Sequence, residues 1–142
     1  MDSTSWMDLG RTLCTLMRRA EAFKYVVQCT YGKTDIFYKR FVVFVRELDT
    51  MRICLGKIMD SYNIGVSVDG AFYNSSDWST EDPVYMRPLP KALTETQRLV
   101  FQELLNDVRV YVDGLDAYPF GYHAQLRVYR NTVLLKMNVL QL

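Results

Sequence analysis

The chain has a single histidine, His123, and three cysteines, Cys14, Cys29 and Cys54, with no CxxC spacing among them. No His/Cys set therefore has the spacing of a zinc site. An odd number of cysteines in apolar surroundings reads as buried thiols in a reducing compartment. His123 has no Cys or Ser near it in a triad-like arrangement, and a lone histidine more often packs than catalyses. Neither GxxxxGK[ST] nor GxGxxG occurs, so both phosphate-cradling loops are missing. No apolar run approaches the ~18 residues of a membrane span. Asp2 and Asp8 interrupt the start of the chain, which lacks the pattern of a signal peptide. These absences lead to the expectation of a non-enzymatic, intracellular protein without cofactor or metal, whose membrane contact, if any, is peripheral.

What is present is apolar and aromatic. Nearly half of the 142 residues are hydrophobic and under a quarter are charged, with ten Tyr, seven Phe and seven Met. That composition belongs to a globular protein of one domain with a substantial core. The net charge of +1 hides an asymmetry. Residues 1–46 carry eight Lys and Arg against four Asp and Glu, whereas residues 47–142 carry nine against twelve. Such a division suits an anionic partner or head-to-tail self-association, and equally a solvated mixed surface.

Along the chain, residues 1–20 read as an N-terminal basic helix, with Trp6, Leu9, Leu13, Leu16 and Met17 at spacings of three and four. Arg11, Arg18 and Arg19 lie off that stripe. The segment is either a basic amphipathic arm or a plain packed helix, ahead of a globular domain over 21–142. Phe23–Tyr31 is rich in β-branched and aromatic residues and reads as a strand ended by Gly32. Thr34 or Asp35 caps a helix to about Thr50, with Phe37, Phe41, Phe44, Val45 and Leu48 on one face and Lys39 and Arg40 off it; its FVVFV run alternatively reads as a buried strand. Residues 74–83 are a polar, acidic loop around Trp78, a side chain either tucked back or offered to a partner. A short strand with Tyr85 and Met86 follows. Thr94 with Gln97 three residues on fits a capping box opening a helix to about Asn106. Val108, Val110 and Val112 alternate like a strand.

The stretch 125–141, QLRVYRNTVLLKMNVLQ, alternates Val133, Leu135, Met137 and Val139 with other residues after a polar Arg130-Asn131 pair. Period-two alternation broken by two polar residues is the pattern of a β-hairpin, although the usual Gly after Asn is missing. The fold expected is thus α+β: a single domain, mainly antiparallel sheet with a C-terminal hairpin, packed against two or three helices. The four alternating residues should share one core, and a charge at Leu135 should unfold the domain.

The hairpin residues Val128, Tyr129, Arg130, Asn131, Thr132, Val133, Leu135, Met137 and Val139 resemble the strand pair near the end of the globular domain of rhabdovirus matrix proteins of vesicular stomatitis type. Val45, Asp49, Met51, Ile53 and the Gly56-Lys57 pair are similar in placement to that family's strand–helix opening, and Pro119-Phe120 precedes the hairpin in a comparable way. About half of the chain is covered. The family's PPxY and PTAP motifs are absent, and the helix from Thr94 has no counterpart. The resemblance implies a structural virion protein that self-associates and bridges a viral nucleoprotein–RNA complex and the inner face of the envelope membrane. On that reading Arg11, Arg18, Arg19, Lys24, Lys39 and Arg40 are the candidates for contact with an anionic membrane surface. Trp6, Trp78, Tyr85 and Met86 are the candidates for self-association or partner binding. The rival expectation is a small accessory module that binds a host protein through the Trp78 loop.

Overall fold

The computed structural model describes residues 3–61, 92–117 and 124–140. They form four α-helices: α1 (Ser3–Tyr31), α2 (Ile36–Ser61), α3 (Glu95–Gly114) and α4 (Ala124–Asn138), with a 3-10 turn at Leu115–Ala117 after α3. No strand occurs among the described residues. The expected α+β fold with its antiparallel sheet is therefore corrected to a helical bundle.

Three stretches with strand-like patterns are helical. Phe23–Tyr31 is the last third of α1, where Phe23 and Val27 are buried and, with Ala20 before them, continue the stripe of Leu9, Leu13 and Leu16. Its β-branched residues lower helix propensity by at most about 0.7 kcal/mol each, which the burial of one continuous face outweighs. Val108–Val112 lies inside α3, burying Val108, Tyr111 and Val112 but leaving Val110 62 % exposed. The expected hairpin is α4. Its inward face is Leu126, Val133, Met137 and, just past the helix, Leu140. Leu135 is 64 % exposed and Val139 45 %. The four alternating residues thus divide between two faces, and the position where a charge breaks the core is Val133. Because the sequence is apolar at both sets of positions, it satisfies period two and period 3.6 together.

The local signals for the helix ends hold. Gly32, at φ 86°, takes the left-handed conformation after α1, and its N–H donates to the Gln28 carbonyl at 2.8 Å. That conformation closes a helix at little cost for glycine. The chain then reverses, and Asp35 caps α2 by accepting the Phe37 N–H at 2.8 Å. At α3 the capping box is complete. Thr94 Oγ1 accepts from the Gln97 N–H at 3.1 Å, and Gln97 Oε1 accepts from the Thr94 N–H at 2.9 Å. The helix expected from Thr34 or Asp35 to about Thr50 runs further: α2 continues to Ser61 through a buried Gly56.

Helix α2 is central, packed along α1 on one side and α4 on the other, while α3 closes the bundle against α1 and, more lightly, α4. Its inward face buries Phe41, Phe44, Leu48, Met51, Leu55 and Met59 completely. Phe101 of α3 enters between α1 and α2, with ring centroids 5.4 Å from Phe23, 5.6 Å from Phe37 and 6.0 Å from Phe41. Tilted ring pairs at these separations add to the burial energy. Polar ties also hold α3 on α1: the buried Tyr111 hydroxyl donates to the Leu9 carbonyl at 2.9 Å, and Arg19 meets Asp107 at 2.8 Å near the surface.

Candidate functional site

The helices differ in charge. Four bases and two acids lie in α1, five and three in α2, and three and none in α4; α3 reverses the balance with two bases and four acids. Lys24, Glu21 and Arg52 are buried, so the surface charge of α1 comes from Arg11, Arg18 and Arg19 against Asp8, and that of α2 from Lys39, Arg40, Arg46 and Lys57 against three acids.

Of the residues expected to meet an anionic surface, Arg11 and Arg18 are exposed seven residues apart, hence about 10.5 Å apart on one face of α1. Arg11 lies 3.6 Å from Asp8, an exposed pair. Arg19 is paired with Asp107. Lys24 is 7 % exposed, 2.8 Å from the equally buried Glu21 and 5.3 Å above the Tyr25 ring. Its expected surface role is therefore corrected to a structural one. A buried ion pair of this kind is costly to break from one side, because the remaining charge is left in the core. Lys39 and Arg40 are exposed at the start of α2.

Continuation of α2 to Ser61 brings in Lys57, which a helix ending near Thr50 does not include. Lys39, Arg46 and Lys57 are all exposed, and their separations of seven and eleven residues put them in one line along the outward face of α2. The line spans about 27 Å. The sequence signal for it is the unbroken spacing of Leu48, Met51, Leu55 and Met59 across Gly56.

Beside that line, a groove of about 380 Å³ runs between α2 and α4, lined by Thr50, Ile53, Cys54 and Lys57 of α2 and Gln125 and Tyr129 of α4. Burial pushes the Cys54 thiol above its ordinary 9.0, and nearby Lys57 opposes the shift only in part. A raised thiol stays protonated at neutral pH, so Cys54 is not an activated nucleophile. What the groove offers is one cation, Lys57, among polar and apolar groups. Among the described residues no cluster of His, Cys, Asp and Glu could hold a metal ion, and no helix is long and apolar enough to cross a membrane.

Trp6 belongs to α1, but its side chain, like Trp78, Tyr85, Met86 and His123, lies outside the described residues. Of the expected hairpin residues, Val133 and Met137 serve the core while Leu135 and Val139 face outward. Compared with family models, curated proteins and solved structures, the chain matches none. The residues that carry the matrix-protein resemblance at 128–138 are helical here, so the strand pair on which it leans is not formed.

Proposed function

We propose that this protein is a non-enzymatic structural protein that self-associates and lies peripherally on an anionic membrane surface. The observation that carries this reading is the line of Lys39, Arg46 and Lys57 on the outward face of α2, flanked by α4, a helix with three bases and no acid. A rigid row of cations about 27 Å long is a platform for a plane of negative headgroups. Each base close to such a surface contributes about 1 kcal/mol, so three or four give reversible attachment that oligomerisation strengthens by avidity. In a virion the same arrangement serves a matrix-type protein, held at the inner face of the envelope and facing the nucleoprotein–RNA complex with its remaining surface.

The test is co-sedimentation with phosphatidylserine-containing vesicles over a salt series. Binding is expected to fall steeply with salt and to vanish in the variant Lys39→Glu/Arg46→Glu/Lys57→Glu, which leaves the core untouched. Retained vesicle binding by that variant, or binding of the native chain to single-stranded RNA with none to vesicles, overturns the reading.

A further inference from the structure

The row of cations on α2 continues into the groove that α2 forms with α4. Arg46, Thr50, Ile53 and Lys57 follow one another at spacings of four, three and four, so they share one stripe of the helix. Past Arg46 that stripe is one wall of the groove. Cys54 and Ile58, both buried, make the floor, and Gln125 and Tyr129, one turn apart on α4, make the opposite wall. From Thr50 to Ile58 the groove runs about 12 Å along α2. Its volume of about 380 Å³ falls among those of small-molecule sites, roughly 300–1,000 Å³.

The groove is amphipathic, and its polar groups are mostly donors. Lys57 meets no carboxylate among the described residues, and none of the described lining residues is an acid. The Tyr129 hydroxyl accepts from Gln125 Nε2 at 3.2 Å, which leaves its own proton for a further acceptor. Thr50 is the exception: its hydroxyl donates to the Arg46 carbonyl at 3.0 Å and offers only lone pairs to the groove. Between these groups Ile53, Cys54 and Ile58 supply apolar surface, and the protonated Cys54 thiol adds no charge to it. A second hollow, at the start of α3, differs in this respect. Its lining carries an acid, Glu95, and a base, Arg98, three residues apart, so the two charges offset one another.

We propose that the α2–α4 groove is a subsite for one anionic amphiphile: a lipid whose phosphate is held by the Lys57 ammonium and the Tyr129 hydroxyl while the adjoining part of its hydrocarbon chain lies on Ile53, Cys54 and Ile58. Hydrogen bonds in which both partners are charged are the strong ones, and the chain adds apolar burial that a free phosphate lacks. The proposal rests on the membrane reading above and deepens it. The row on α2 attracts any plane of negative charge, whereas the groove selects a single molecule from that plane, at a place continuous with the row.

Calorimetric titration of the full chain with dodecyl phosphate, below the concentration at which it forms micelles, tests the proposal. One molecule per chain should bind, and Lys57→Gln and Tyr129→Phe should each weaken it by about tenfold or more while the far-ultraviolet circular dichroism stays helical. Lys39→Gln, about 27 Å away on the same row, should leave the affinity unchanged. Inorganic phosphate and the uncharged dodecyl maltoside should each bind about a hundredfold more weakly, or not at all. Absence of dodecyl phosphate binding overturns the proposal, as does binding of many molecules per chain. Equal losses in Lys39→Gln and Lys57→Gln overturn it by reducing the groove to part of a general field. Equal binding of dodecyl maltoside leaves only an apolar crevice, and equal binding of phosphate only an anion site; either result overturns it too. Vesicle sedimentation separates the two proposals. A chain that sediments with phosphatidylserine vesicles but takes up no dodecyl phosphate loses the groove alone, and one that binds dodecyl phosphate but ignores vesicles loses the membrane reading alone.

Discussion

The α1–α2 hairpin and the α3–α4 pair are built from similar residues but resolve their apolar surface differently. In α1 and α2 the large apolar residues other than Ile36, the first residue of α2, collect on one side, and the bundle buries them: Leu13, Met17, Phe41, Phe44, Leu48, Met51 and Leu55 are at or near zero exposure. In α3 and α4 the inward stripe is equally buried, but Leu99, Val110, Val128 and Leu135 remain about half or more exposed on the opposite side. A helix with one apolar stripe is completed by its own fold. In α3 and α4 some apolar side chains stay outside that completion, and the difference predicts which substitutions unfold the protein and which leave its fold intact.

The sharpest way to break the comparison is to place the same charge on the two faces of α4. Val133→Asp should cost more than about 4 kcal/mol, enough to unfold a domain of ordinary stability, because an unpaired charge enters the core. Leu135→Asp should shift urea unfolding of the monomer by no more than about 0.5 kcal/mol. Equal losses at both positions would mean that the outer face is not a surface. The same contrast in α3 is smaller. Phe101→Ala should lose about 3–5 kcal/mol, since its ring fills the space between α1 and α2, whereas Leu99→Ala should be close to neutral in the monomer. Smaller again is Tyr111→Phe. Removing the hydroxyl leaves the Leu9 carbonyl to its helical partner alone, an expected loss of about 1 kcal/mol in denaturant titration.

The smallest effect expected is a pH dependence at the α2–α4 groove. Burial raises the Cys54 thiol above 9.0 in the folded chain, so the folded state holds this proton more tightly than the unfolded one. Its contribution to stability is complete below that value and is lost as pH rises through the folded thiol's own pKa. Cys54→Ala should therefore show a shallower alkaline decline in melting temperature than the native chain, with the two curves parallel below about pH 8. A divergence on the acid side instead would point to another group.

Some of this architecture is legible in the order of residues. Thr94 and Gln97 stand at capping-box spacing, Gly32 stands where a segment stops, and Phe37, Phe41, Phe44 and Leu48 mark one helical face; each is a local signal whose physics does not depend on distant residues. Other features are not legible in this way. Phe23–Tyr31 and 125–141 satisfy strand and helix patterns at once, and the intrinsic preference between the two amounts to tenths of a kcal/mol per residue. At the candidate site, Lys39 and Arg40 read as exposed from their place off the apolar face. Lys57 joins the row only if α2 passes through Gly56, which costs a helix about 1 kcal/mol by itself. Burial of Leu55, Ile58 and Met59 against the rest of the bundle offsets that cost.

By itself, then, the sequence determined the caps, the turn at Gly32, the lack of zinc-spaced or phosphate-cradling motifs, and the excess of base near the start of the chain. Only the tertiary structure decided that α4 is a helix and not a hairpin, which half of its apolar residues is core, and that Lys24 is interior while Lys57 is surface. The reason is the range of the forces involved. Caps and turns are settled by hydrogen bonds within four residues, whereas the choice between two periodicities is settled by which face finds a partner to exclude water, and that partner lies far away in the chain.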